Sequence, residues 1–490
     1  MTLSLVGRVE SACDLAVDAL SGTPLADEAR QIRRALVSPL RVAIAGRVKA
    51  GKSTLLNALL RERFAPTDAG ECTRFVCVYR HGQAYDVGAE LKDGRRIGLP
   101  FSRGEDTLNI DLEAAPTPIE RLDIAWPASA LSNVTLLDTP GIGSTDEAVR
   151  LRVAGYLAEQ DQRLTTDADA VIYLMRHLHA TDVKFMEALH SETIVSASPV
   201  NAVAVLSRAD EVCGGRADAM VSASRIAARY RADPTLRASV ADVVPMAGLL
   251  AETGATLRES EMTWLRTLAA ADSAEIDSLM LSVDRFRRPG VGPLMPEVRE
   301  ILLTRLGLFG LRFAVDAIAH RRCDTAVALS RALTEISGIT ALRDLIDEYF
   351  VSRSQRLKAR SALLQLSALA RVAEEFDARV GRLITQTVET LASTAHELAE
   401  LRLLHLALTG AAGLDEAELA AIRDIVSDKP LPGRLGLAAD ASADEQRTAA
   451  LRWVAHWRER GASPVISRDL ATASEIAARS YEGVYAALGN

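Results

Sequence analysis

The stretch VAIAGRVKAGKSTLLNALL, residues 42 to 60, constrains this chain more than any other. A short apolar run reads as a buried strand. Gly46-Arg47-Val48-Lys49-Ala50-Gly51-Lys52-Ser53 then fits G-x-x-x-x-G-K-[ST], and a leucine-rich segment follows. The glycines let successive backbone N–H groups turn inward around an anion, and the helix start adds its positive dipole end. Lys52 is placed to reach the outer phosphates of a nucleotide, and Ser53, with Thr54 beside it, offers a hydroxyl for Mg2+. Strand, glycine turn and helix in that order call for an α/β domain with a parallel sheet.

Three further segments extend the site. Asp138-Thr139-Pro140-Gly141 ends the run NVTLLD, where a carboxylate holds the Mg2+ shell through water and the Gly141 N–H faces a γ-phosphate. Glu71-Cys72-Thr73-Arg74 precedes FVCVY; Thr73 is the candidate to complete Mg2+ coordination and hold an attacking water, with an ordinary threonine before a strand as the other reading. Ser207-Arg208-Ala209-Asp210 follows VNAVAVL. A buried carboxylate at Asp210 accepts from both N1–H and the exocyclic amine of guanine, whereas adenine leaves it unpaired. The usual form is N/T-K-x-D, so Ser207 and Arg208 depart from it, although the Arg208 stem can stack on the base. Val244-Pro245-Met246-Ala247-Gly248 reads equally as a last base-binding loop or as a plain turn.

At 490 residues the chain exceeds a single core, so two or three domains are expected. Apolar residues make up 48% and aromatics only 4%, a profile that favours helix over most of the length. A net charge of -8 argues against nucleic acid as a partner. Five cysteines without metal or disulfide spacing point to reduced thiols and a cytoplasmic setting. The opening MTLSLVGRVESACDLAVDAL lacks the core of a signal peptide, and no run is long enough to span a bilayer, so any membrane contact is expected to be peripheral.

Residues 1–38 read as two helices punctuated at Ser21-Gly22-Thr23-Pro24. Residues 39–294 alternate short apolar runs with amphipathic stretches, the rhythm of a mostly parallel sheet. Residues 295–490 read as nearly continuous helix, with breaks at Ser337-Gly338 and around Gly381 and a loop over 427–442. The N-terminal helices are free to join that bundle.

The four segments, in this order and wedged between helices, resemble the dynamin superfamily. GRVKAGKSTLLNALL and RLGLFGLRFAVDAI look most like the bacterial dynamin-like proteins of mycobacteria, the isoniazid-inducible ones in particular. The resemblance is specific at Gly46–Ser53, Thr73, Asp138–Gly141 and Asp210, and covers the helical part only in plan. It implies a P-loop GTPase head on an elongated helical stalk, GTP-driven oligomerisation, and a stalk tip that touches lipid. We therefore expect a GTP phosphohydrolase that pairs through its heads, with itself or a paralogous chain, and acts on anionic lipids at the inner face of the plasma membrane. The rival expectation is a GTP-gated scaffold that binds a protein partner through its bundle without lipid contact.

Two stretches stay open at this level. Dynamins typically carry Gln and Ser where this chain has Val48 and Lys49, and Ile142 stands where Ras-like enzymes place a water-orienting glutamine. In guanylate-binding proteins and atlastins the position of Lys49 holds an arginine finger acting within its own chain. Lys49 is thus either such a finger or a solvated loop cation. Leu408–Leu414, apolar and uncharged, is either the lipid-touching tip or a packed helix connection, with residues 428–441 as the alternative tip. Trp453 and Trp457, one helical turn apart, read as bundle core.

Overall fold

The computed structural model describes residues 4–47, 49–62, 75–104, 108–138, 168–176, 199–463 and 465–489. Two helices, α1 (Leu5–Ala19) and α2 (Leu25–Val37), precede strand β1 (Leu40–Gly46) and helix α3 (Lys52–Leu60). The strands β2 (Val76–His81), β3 (Asp86–Leu91), β4 (Arg96–Gly98), β5 (Phe101–Arg103), β6 (Leu108–Ile110), β7 (Ile119–Trp126) and β8 (Val134–Asp138) follow. Next come β9 (Ala170–Met175), β10 (Ala202–Ser207), α4 (Ala219–Ala232), β11 (Val243–Met246), α5 (Gly248–Thr256) and α6 (Glu259–Ala269). Beyond these the longer elements are helices: α7 (Pro296–Ala319), α8 (Ala326–Ile336), α9 (Ile339–Tyr349), α10 (Ser354–Phe376), α11 (Ala378–Thr394), α12 (His396–Thr409), α13 (Glu416–Ile425), α14 (Ala443–Ala462) and α15 (Arg468–Ala487).

The main sheet runs β11-β10-β9-β1-β8-β2-β7-β3-β4. From β11 to β8 every pairing is parallel, and the strands are the near-continuous apolar runs that a sheet covered on both faces requires. All six residues of β9 and of β10 are buried. Beyond β8 the sheet turns mixed: β2 is antiparallel to β8, and β3 is antiparallel to β7. With β2 and β7 also parallel, five of the eight pairings are parallel, so the expectation of a mostly parallel sheet holds and the antiparallel pairings are confined to the β2–β4 side. In β3 the inward Val87, Ala89 and Leu91 alternate with Asp86, Gly88 and Glu90, the pattern of a sheet with one wetter face. Its register brings the C-terminal ends of β1, β8, β10 and β11 to one edge, the edge where open parallel sheets hold their ligands.

The N-terminal helices join the helical part. Val9, Ala12, Ala16, Ile32 and Leu36 share a core with Leu363, Leu366, Leu369 and Ile384 of α10 and α11. Arg8 pairs with Glu397 at 2.8 Å, and Lys358 donates to the Ser38 carbonyl at 3.0 Å, next to where β1 begins. The break expected around Gly381 lies instead at Asp377, whose carboxylate caps α11. Gly381 sits inside α11, where an added Cβ would come 2.6 Å from the Glu374 Cα. That glycine permits a close helix approach rather than a break.

Helices α8 and α9 lie against the sheet domain. The Ala247 N–H bonds the Ser337 carbonyl at 2.8 Å, Arg343 donates to the Ala58 carbonyl at 2.9 Å, and Leu342, Ile346 and Tyr349 enter the same core as β1 and β8. Packing thus runs through residue 295, where the sequence changes its rhythm.

The tip expected at Leu408–Leu414 is corrected. Leu408 is 7% exposed, Ala412 is buried, and Leu414 packs on the main core. Gly410 closes α12 in the left-handed region at φ 76°, with the Arg237 guanidinium occupying the space a side chain would need. Arg237 also donates to the Leu408 carbonyl at 3.5 Å. This is a packed connection under the sheet domain, and its apolar residues close it. The alternative stretch is packed too: Leu435 is buried, and Leu431 and Leu437 lie on the same core. Trp457 is fully buried, and Trp453 stacks on Tyr481 of α15 with ring centroids 5.7 Å apart.

Candidate nucleotide site

The phosphate loop is built as its residues dictate. A side chain at Gly46 would meet the Leu174 carbonyl at 2.6 Å, and Gly51 starts α3 at φ 97°. Both positions require glycine. Lys52 Nζ donates to the Gly46 carbonyl at 3.2 Å, so the ammonium is folded back over the loop it serves. Burial holds it below the usual lysine range, and the Asp138 carboxylate opposes that shift. Ser53 and Thr54 stand half-buried in the first turn of α3.

Asp138 ends β8 beside Ile44 of β1. Its Oδ1 is buried and has no hydrogen-bond partner among the described residues. Burial raises its pKa to about 6, with Lys52 pulling it down. A buried carboxylate oxygen without a partner among the described residues, at the sheet edge where α3 begins with the hydroxyls of Ser53 and Thr54, is a donor set of the kind a hard cation such as Mg2+ takes. The residues present fit that ion.

On the other side of α3 a cavity of about 110 Å³ is lined by Gly51, Thr54, Ser207, Asp210, Met246 and Gly248, among others. Val244–Gly248, which the sequence leaves open between loop and turn, thus borders this cavity. The Ser207 hydroxyl donates to the Met175 carbonyl at 3.2 Å. Asp210 is buried, and its carboxyl is pushed up to about 6, first by burial and then by Glu211. Its own backbone N–H and Arg208 act the other way. Arg208 adopts φ 53° and bridges outward, to the Lys49 carbonyl at 3.2 Å and to Glu211 at 2.8 Å. Lys49 is exposed at φ 62°, a left-handed conformation that costs a non-glycine residue about 1 kcal/mol.

The structure therefore brings Gly46, Lys49, Gly51, Lys52, Ser53, Thr54, Asp138, Arg208 and Asp210 to one edge of the sheet. Thr73, Gly141, Ile142 and Val48 lie outside the described residues. Sequence reasoning missed Glu211, legible only as a carboxylate three residues after Arg208. It also missed Gly307 and Arg312 of α7, which tertiary packing alone brings to the Asp210 loop.

The sequence profile described as the dynamin family matches residues 42–206. The isoniazid-induced protein IniC of Mycobacterium tuberculosis is 37% identical over 455 residues, covering 92% of this chain and 91% of its own length. The chain belongs to the dynamin family. Dynamin-like protein A of Bacillus subtilis is 31% identical over 162 residues, 32% of this chain and 13% of that protein. A solved chain described as part of an oligomerised bacterial dynamin pair covers 98% of this one and 90% of itself, at 11% identity and a TM-score of 0.34. So loose a superposition says nothing of assembly.

As a dynamin-family GTPase the chain binds and hydrolyses GTP. The two halves of the site differ in chemistry: a lysine and backbone N–H groups at the phosphate loop, and a buried carboxyl at the cavity beyond α3. No helix among the described residues is long and apolar enough to cross a membrane.

Proposed function

We propose that this GTPase couples GTP turnover to membrane attachment through the end of its helical bundle farthest from the nucleotide site. In this reading Lys52 and the loop N–H groups hold the phosphates, and Asp210 reads guanine with Arg208 alongside it. Ser53, Asp138 and Thr73 hold Mg2+, which neutralises charge on the β- and γ-phosphates when bound. Gly141 faces the γ-phosphate, Thr73 holds the attacking water, and Lys49 supplies charge as the γ-phosphoryl group leaves. With Ile142 in place of a glutamine, pairing of two heads, of this chain or a paralogous one, orders Thr73 and its water.

The observation that carries the membrane reading is Phe376. It is 78% exposed at the corner between α10 and α11, with Leu383 exposed one turn and a half beyond it. Helix α10 is anchored near the sheet by Lys358, and at 1.5 Å per residue Phe376 stands ~27 Å farther along. Around the corner Arg371, Arg379 and Arg382 are matched by Glu374, Glu375 and Asp377. Apolar insertion therefore outweighs attraction to anionic headgroups there. Attachment from the inner face of the plasma membrane is part of this proposal.

The test is co-sedimentation with vesicles of phosphatidylcholine alone and with added phosphatidylglycerol, with and without GTP. Phe376→Asp should lose vesicle binding several-fold and keep its GTP turnover. Equal sedimentation of wild type and variant would favour the GTP-gated scaffold that binds a protein partner.

A further inference from the structure

The loop that carries Asp210 is poorly self-supported. Residues Ala209–Gly214 form a short helical stretch interrupted at Val212 and at Cys213, the latter at φ 54°. Besides α4 and the Glu211 ion pairs, part of what holds it comes from α7, in the helical segment. That helix is broken internally at Gly307, with φ 61° and ψ 179°, a region open essentially to glycine alone. The break lies against the nucleotide cavity: a Cβ on Gly307 would stand 3.4 Å from Asp210 Oδ2 and 3.9 Å from Leu249 Cδ1. Two residues later the Phe309 backbone N lies 3.5 Å from where a Cβ on Gly215 would be. Arg312 donates from one guanidinium nitrogen to the Gly215 carbonyl, at the end of the Asp210 loop, and from the other to the Met280 carbonyl at 2.5 Å.

The other side of the break is fixed as firmly. Arg305 pairs with Glu261 at 2.7 Å and donates to the Thr256 carbonyl at 2.9 Å, while its own carbonyl accepts from Thr253 at 2.6 Å. Glu252, 3.7 Å from Arg305, accepts from Asn57 of α3 at 3.1 Å. The strained turn at Gly307 is thus held between the phosphate-loop helix and the Asp210 loop.

We infer that α7 forms the outer wall of the guanine site and that Arg312 is a positioning residue for Asp210, fixing the end of its loop so that both carboxylate oxygens meet the base edge. Gly307 supplies the backbone conformation of the break, φ 61° and ψ 179°, which a residue with a side chain would hold only under strain. The inference rests on the reading of Asp210 as the guanine acceptor. Its consequence is selective. Hypoxanthine keeps N1–H and lacks the exocyclic amine, so preference for guanine over hypoxanthine measures how well the second contact is aligned.

Affinities for GDP and IDP, measured by calorimetry together with melting temperatures, test it. Arg312→Gln should shrink the GDP-over-IDP preference on the order of tenfold, the worth of one hydrogen bond to a charged group. Arg312→Lys, which keeps the charge but not the two-carbonyl bridge, should shrink it too. Gly307→Ala, which leaves Arg312 in place, should do the same by straightening the turn, and it reads the ratio if an Arg312 variant fails to fold. A merely structural role would lower the melting temperature and weaken both nucleotides equally. If Asp210→Asn abolishes the preference while the α7 variants keep it, the positioning role is wrong and the guanine reading stands. If Asp210→Asn leaves the preference intact, both fall.

Discussion

Two corners of the helical part invite comparison. Thr409–Leu414 joins α12 to α13, and Phe376–Asp377 joins α10 to α11; each ends one helix and carries apolar residues into the next. At the first, Arg237 and the main core stand opposite, and Leu408 and Ala412 are buried. At the second nothing described covers Phe376. Local apolar composition is richer at the buried corner, so composition does not decide exposure. The elements brought opposite by long-range packing decide it.

The largest expected effect separates these corners directly. Leu408→Asp places a charge among Leu406, Leu404 and the main core, and should destabilise the protein by about 4 kcal/mol, the sum of a lost side chain and an unpaired charge. Phe376→Asp should change stability by less than about 0.5 kcal/mol, as an exposed substitution does. Urea unfolding of both variants checks this. Equal losses would mean that Phe376 is covered in solution, and the corners would not differ.

The nucleotide site differs from both corners in how much the chain declares. Gly46–Thr54 is legible because strand, turn and helix are contiguous and the chemistry is mostly backbone. Asp210 is legible despite Ser207 and Arg208, since one carboxylate after a buried strand suffices to suggest the contact. The Arg208–Glu211 pair, the α7 wall and the contact of Arg237 with the packed connection at Leu408–Gly410 are not legible, because each joins groups whose meeting depends on the fold. Strands β3 and β7 fall between: their alternation is present in DVGAEL and IERLDIAW, but is easily passed over beside runs such as AVIYLM.

The contiguous part of the site should therefore fail completely when its own residue is removed. Lys52→Ala should lower GTP affinity or turnover about 100-fold or more, because its ammonium is the one folded over the Gly46 carbonyl, whereas Arg208 meets the loop only at the Lys49 carbonyl. The helical part should be untouched, with no loss of melting temperature. A fall in melting temperature would show that the buried ammonium also supports the fold.

The next effect is smaller and has a sign that distinguishes a binding site from a core. Asp138 and Asp210 have carboxyls raised from 3.8 to about 6 in the nucleotide-free protein. A raised carboxyl contributes stability that is fully present below the unfolded value of 3.8 and is lost as pH rises through about 6. Nucleotide-free protein should thus lose, as pH rises from 3.8 through about 6, a contribution that Asp138→Asn does not lose. At pH 7.5 that variant should be the more stable by on the order of 2 kcal/mol, while its GTP turnover falls. GTP binding should move the opposite way to stability, weakening as pH drops through 6 and the acceptors protonate. A variant no more stable than wild type at pH 7.5 would mean that Asp138 is already paired.

The smallest effect concerns Lys49, where the local sequence is explicit about charge and silent about its use. The residue is exposed, strained at φ 62°, and tied by its carbonyl to Arg208, so the loop fixes its backbone and leaves its ammonium free to reach outward. If that charge acts only as the γ-phosphoryl group leaves, Lys49→Ala should lower kcat about tenfold and leave GTP affinity nearly unchanged. Lys49→Arg should retain most of the rate. Lys49→Gly should lose the same rate and gain about 1 kcal/mol of stability, because glycine adopts the left-handed conformation without strain. A solvated loop cation would give the reverse pattern: weaker and less salt-sensitive GTP binding with kcat preserved. Single-turnover rates and equilibrium binding for the three variants, each at two salt concentrations, separate the outcomes. A rate that follows added potassium rather than the charge at residue 49 would assign the compensation to a bound cation instead.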